Sequence, residues 1–176
     1  MKKVILISAG DPNSISTEIT IKAIENYKIN KNVKPVVVSN SKLIEDCKKI
    51  IKSDIQLNEI EDKVNFSDFK ENYLNIISLP IQENTILGRE NIKYSSFIKN
   101  SIITCVKTEI SSIASAIVTN PINKKMMYRS GFNFQGHTDF LASLSKYKKA
   151  FAFGNNLLAF TIAFTLHHTG DNFQCL

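Results

Sequence analysis

Apolar and polar positions along the chain follow two periods in alternation. Val4 to Ser8 is a continuous apolar run ending before Gly10 and Pro12, the pattern of a strand buried on both faces in a parallel sheet. From Glu18 to Lys28, Ile19, Ala23 and Tyr27 fall at helical spacing, and Ser16 or Thr17 is the expected cap. Pro35 to Ser39 is a second strand-like run. Ser41 is the expected cap of a helix whose Leu43, Cys47, Ile50 and Ile51 make one apolar face. The stretch from Ile55 to Lys70 is polar and aperiodic, which predicts a surface excursion.

Leu74 to Leu79, closed by Pro80, predicts another strand. The clearest helix lies between Glu90 and Glu109, where Ile98, Ile102, Val106 and Ile110 form one buried stripe. Ala114 to Thr119 predicts a short strand running into Asn120-Pro121. Phe151 to Phe153 and Phe160 to Phe164 predict paired strands around Gly154-Asn155-Asn156, and His168 to Leu176 carries no period. Strand and helix in repeated alternation predict an α/β fold, a mainly parallel sheet flanked by helices. A chain that stops soon after an apolar strand leaves an edge to be covered, so the ending reads as truncated.

Composition narrows the partners. With 176 residues, 43% hydrophobic and 22% charged, the chain has enough apolar surface for one packed domain, which excludes disorder, collagen and disulfide miniproteins. The net charge of +6 rests on scattered lysines, with Arg89 and Arg129 the only arginines; this favours a solvated surface and no nucleic-acid partner. Cys47, Cys105 and Cys175 are far apart, so neither a disulfide framework nor a thiolate zinc site is expected, and a reducing cytoplasm fits. The most apolar stretch, Leu157 to Leu166, has ten residues. A membrane span needs about 20, so no membrane association is expected.

Three segments could carry chemistry. Gly10-Asp11-Pro12-Asn13-Ser14-Ile15-Ser16 follows the first strand and precedes a helix, where open α/β sheets place ligands, although its one glycine matches neither a dinucleotide fingerprint nor a phosphate loop. Thr119 to Lys125 also joins a strand to a helix, and backbone N–H groups with Lys124 could hold an anion there. In Gly136-His137-Thr138-Asp139, Thr138 can cap a helix carrying Phe140, Leu141 and Leu144. His137 then sits just outside a helix N-terminus, whose dipole disfavours imidazolium. His167 and His168 are adjacent and would point to opposite faces of a strand, so they cannot easily ligate one metal together.

Taken together and in order, these segments resemble the 4-hydroxythreonine-4-phosphate dehydrogenase family of pyridoxal phosphate biosynthesis. The matching blocks are Ile7-Ser8-Ala9-Gly10-Asp11-Pro12 with Ile15, Glu18 and Ile19; Ala116 to Lys124; and Gly131 to Ala142. The resemblance spans nearly all of residues 1–176 and corresponds to the N-terminal part of a family member, whose C-terminal, NAD-binding half would be absent.

The resemblance implies a fold like that of isocitrate and isopropylmalate dehydrogenases. It implies NAD- or NADP-dependent oxidation and decarboxylation of 4-phosphohydroxy-L-threonine to 3-amino-2-oxopropyl phosphate, assisted by a divalent metal such as zinc, magnesium, cobalt or manganese. His137 and Thr138 would bind substrate, with Lys124 and Asp11 as further anion or substrate contacts, and His167, thirty residues after His137, would be one of three metal histidines. No catalytic residue and no NAD-holding residue maps onto this chain. The full enzyme would be a cytoplasmic homodimer, and this chain alone is expected to be an inactive fragment. Related readings are a dehydrogenase of phosphothreonate or phosphoerythronate and a non-catalytic phosphate-binding domain. Ser14, Ser16 and Thr17 stand where the family has glycines and a proline.

Overall fold

The computed structural model describes residues 3–26, 32–61, 66–82, 85–107, 114–144, 151–155 and 158–164, the last two by their backbone. In chain order the elements are β1 (Lys3–Ser8), α1 (Ser16–Asn26), β2 (Val33–Ser39), α2 (Ser41–Ile51), β3 (Gln56–Glu59), a single 3-10 turn, β4 (Tyr73–Ser78), α3 (Tyr94–Lys107), β5 (Ala114–Thr119), α4 (Lys124–Arg129), α5 (His137–Leu144), β6 (Phe151–Asn155) and β7 (Leu158–Phe164). The strands form one sheet in the order β3-β4-β2-β1-β5-β7-β6. The first five run parallel, while β7 pairs antiparallel with β5 and β6 antiparallel with β7. The expected α/β architecture is therefore present.

Two apolar layers seal the sheet. On one face Val4, Leu6, Val36, Val38 and Ile117 meet Ile98, Ile102 and Cys105 of α3, the α4 methionines Met126 and Met127, and Phe140 and Leu141 of α5. On the other, Val37, Leu74 and Ile76 meet Ile21 and Ile24 of α1 and Ile44 and Cys47 of α2. Each fully buried aliphatic chain stabilises the fold by about 1.5–3 kcal/mol. Strand β1 is less evenly covered than a doubly buried strand: Val4, Leu6 and Ser8 are buried, whereas Ile5 and Ile7 are partly open. Pro35 is tolerated inside β2 because the pairing with β4 begins one residue later, at Val36.

Several local expectations are corrected. The buried face of α1 is Thr17, Thr20, Ile21 and Ile24, while Ala23 is exposed and Tyr27 lies outside the described residues. The threonines tolerate burial because their hydroxyls can bond locally, as Thr20 Oγ1 does by donating to the Ser16 carbonyl at 2.8 Å. Ser16 lies inside the helix, and the backbone O of Ile15 accepts the first helical bond. The cap of α2 is Asn40, whose Oδ1 accepts from Leu43 N–H at 3.0 Å, and Ile50 is exposed. The supposed excursion after Ile55 contains β3, tied through the buried Asn58 Nδ2, which donates to Asn75 Oδ1 at 2.7 Å. Ile110 lies outside the described residues.

Candidate functional site

From β1 the chain crosses to β2 on one side, and β5 occupies the other side of β1, so the sheet order reverses at the C-terminal ends of β1 and β5. Such a switch point opens a crevice between diverging loops. Its floor is tightly stapled. The Pro121 carbonyl accepts from Asp11 N–H at 3.1 Å and from Ser16 Oγ–H at 3.0 Å. Asn120 Nδ2 donates to the Ser8 carbonyl at 3.0 Å and to Thr20 Oγ1 at 2.7 Å. Gly10 fits only because it lacks a side chain, since a Cβ would collide with Ser16 Oγ and the Pro121 carbonyl.

Asp11 is buried on this floor, where its Oδ1 accepts from Asn13 N–H at 3.0 Å. Burial raises its carboxyl pKa above the ordinary 3.8; the Asn13 bond opposes that rise and the nearby Glu90 carboxylate adds to it. Glu90 Oε1 in turn accepts from Asn123 Nδ2 at 2.8 Å. Asn123 is the cap of α4, its Oδ1 accepting from Met126 N–H at 3.1 Å. The backbone of this six-residue helix is thus capped by its own chain, and of the segment expected to hold an anion, the Lys124 side chain remains available.

Lys124 reaches across to the start of α5. Its Nζ lies 3.9 Å from where a Gly136 Cβ would stand. Helix α5 begins at His137, with Phe140 N–H donating to the Gly136 carbonyl at 3.2 Å, so His137 is its first residue and Thr138 lies inside the first turn. Thr138 is therefore not the cap: Gly136 stands at that position, and the Asp139 Oδ2 reaches back to accept from Gln135 N–H at 3.2 Å. Phe132, Phe134 and Phe140 pack mutually, with centroids 5.0 to 5.2 Å apart, and hold the 131–136 turn against α5. The His137 Nε2 is buried without a hydrogen-bond partner among the described residues. Burial, and then the Lys124 charge, lower the imidazole pKa from 6.5 to about 4. The ring is neutral at pH 7, able to offer a hydrogen bond or accept one.

The structure thus sets Lys124 beside His137, with Thr138 the next residue of α5, while Asp11 feels the like charge of Glu90, whose carboxylate bonds Asn123, the residue before Lys124. His167 and His168 lie outside the described residues. Among the described residues no group of three or more His, Cys, Asp or Glu side chains could hold a metal, so the described residues do not by themselves form the implied metal site. No described helix is long and apolar enough to cross a membrane. Sequence reasoning missed Glu90 as a site residue and Asn123 as the cap; for the latter, an Asn directly before the first helical residue was the available signal.

These features define an open-sheet α/β domain whose candidate ligand site sits at the switch point. Residues 31–169 match the family described as pyridoxal phosphate biosynthetic protein PdxA, and the chain belongs to that family. It is 31% identical over 141 residues to 4-hydroxythreonine-4-phosphate dehydrogenase of Caulobacter vibrioides, covering 79% of this chain and 40% of that protein. It is 26% identical over 147 residues to D-threonate 4-phosphate dehydrogenase of Pectobacterium atrosepticum, covering 82% and 45%. A crystal structure of a 4-hydroxythreonine-4-phosphate dehydrogenase from Burkholderia phymatum superposes with a TM-score of 0.74 at 21% identity, over 88% of this chain and 47% of that one. The structural likeness establishes the fold. The chain spans less than half the length of these relatives.

Proposed function

We propose that this chain carries the substrate-recognising part of a 4-hydroxythreonine-4-phosphate dehydrogenase. The observation that carries the reading is the convergence of Lys124 on His137 at the start of α5, within a family whose relatives act, by name, on phosphorylated hydroxy acids. Lys124 supplies positive charge for a phosphoryl group. Neutral His137 and the Thr138 hydroxyl supply hydrogen bonds that fix the ligand's orientation.

In this reading the substrate alcohol of 4-phosphohydroxy-L-threonine is oxidised and the resulting β-keto acid loses carbon dioxide, leaving 3-amino-2-oxopropyl phosphate. NAD or NADP would take the hydride, and a divalent metal would favour the alkoxide. Only three histidines occur in the whole chain. With His137 on the substrate, His167 is the one assigned to metal, so we read turnover as needing ligands and NAD-holding residues supplied from elsewhere, in a homodimeric cytoplasmic enzyme.

The second reading, a D-threonate 4-phosphate dehydrogenase, is supported by the Pectobacterium relative. Calorimetric titration with both phosphorylated acids and with NAD decides. Tighter binding of 4-phosphohydroxy-L-threonine supports the first reading, and tighter binding of D-threonate 4-phosphate the second. Binding of phosphate compounds without any NAD-linked turnover is the expected behaviour of the 176-residue chain; failure to bind either acid overturns both readings.

A further inference from the structure

Asn13 is buried, yet it belongs to no helix or strand. Its side-chain hydrogen bonds instead reach a segment more than 70 residues away. The Asn13 carbonyl accepts from Gly88 N–H at 2.7 Å. Its side-chain Oδ1 accepts from Ile86 N–H at 2.9 Å, and its Nδ2 donates to the Arg89 carbonyl at 2.5 Å. Residues 86–90 are all exposed, and among the described residues every hydrogen bond tying 86–89 to the rest of the chain ends on Asn13. An exposed segment with so little apolar burial is placed by its polar anchors. Directly after the anchor comes Glu90, which bonds Asn123, the residue before Lys124.

We propose that Asn13 is a positioning residue for the ligand site: by clamping 86–89 it delivers Glu90 to Asn123 and so holds Lys124 beside His137. This rests on the proposed role of Lys124 and His137 in binding a phosphorylated ligand. Asn13 contacts neither, so its effect passes through a relay of three links. The first is the double side-chain bond to the backbone of Ile86 and Arg89, the second the Glu90 to Asn123 bond, and the third the Asn123 cap on α4.

The test uses the 176-residue chain, with inorganic phosphate as the calorimetric probe and the His137 ring proton followed by NMR across pH. Asn13→Ala and Glu90→Ala are expected to weaken phosphate binding about fivefold, the effect of losing roughly one net hydrogen bond's worth of placement. Glu90→Gln keeps an acceptor for Asn123 and should restore binding to near wild type. Asn58→Ala breaks a comparably buried side-chain bond at the far edge of the sheet. It should lower the melting temperature without changing phosphate affinity. Release of Lys124 should also raise the His137 titration midpoint in Asn13→Ala and Glu90→Ala. Unchanged phosphate affinity and an unchanged His137 midpoint in both alanine variants overturn the inference. A wild-type chain that binds no phosphate overturns the functional reading instead, and the His137 midpoints then decide the relay on their own. Glu90 is exposed, so its variant reads the relay even if Asn13→Ala fails to fold.

Discussion

Lys124 and His137 are the first residues of two successive helices, and the charge of one opposes protonation of the other. A cation against an imidazole weakens the fold as soon as the ring is charged, and the arrangement persists because the ring stays neutral. An anion entering between them would relieve that opposition.

Lys124→Ala removes this opposition. The His137 titration midpoint should rise from about 4 towards the ordinary 6.5, without reaching it, because burial is the larger cause. Phosphate affinity should fall about tenfold or more, as expected for a charge-assisted hydrogen bond. NMR titration and calorimetry read the two effects, and an unchanged midpoint would refute the contact.

The pH dependence of stability has a definite sign. His137 is neutral in the folded chain down to about pH 4, whereas an unfolded imidazole takes up its proton below 6.5. The unfolded state therefore binds more protons in this window, so stability present above pH 6.5 is lost as the pH falls towards 4. Asp11, whose pKa is raised, contributes in the opposite sense. The urea midpoint of wild type should fall relative to that of His137→Gln as the pH drops from 6.5 towards 4; a constant difference would count against a buried neutral ring.

Asp11→Asn keeps an acceptor for Asn13 N–H and removes a desolvated charge facing Glu90. Its melting temperature at pH 7 should equal or exceed that of wild type, by up to about 2–4 °C. A clear loss of stability would show that the carboxylate has a partner of its own.

Gly10→Ala places a methyl group against the Pro121 carbonyl, a backbone atom that cannot rotate away. The cost should be about 1–3 kcal/mol in urea unfolding. Full wild-type stability would mean that the floor of the crevice can spread.

Asn40→Ala and Ser41→Ala separate the two candidate caps of α2. The first loses the bond from Leu43 N–H and the one to the Leu79 carbonyl and should destabilise by about 1–2 kcal/mol. Ser41 Oγ is buried without a partner among the described residues, so its removal should be neutral or stabilising. The reverse order, measured by urea unfolding, would restore Ser41 as the cap.

The mainly parallel sheet between helical layers was legible because Val4, Leu6, Val36 to Val38 and Ile117 lie in apolar runs that parallel strands require, whereas the strand order was not. The placement of Asp11, Lys124 and His137 just after a strand or at a helix start was legible too. What escaped was polar and buried. Thr17 and Thr20 disguise the inner face of α1, because a hydroxyl that bonds to the helix backbone counts as polar in any periodicity. Strand β3 escaped because Asn58 faces inward and its amide donates to Asn75 and to the Asp68 carbonyl, distant partners that local spacing cannot reveal. Asn13 and Glu90 escaped for the same reason: their partners lie 76 and 33 residues away.

The Pro121 carbonyl, shared by Asp11 N–H and Ser16 Oγ–H, makes the loops after β1 and β5 one mechanical body. A ligand cannot wedge them apart without breaking both bonds at once. The width of the crevice is therefore set before any ligand arrives. Accommodation of differently shaped molecules falls to side chains, above all Lys124 at the start of α4, whose four methylenes can lengthen or retract its reach.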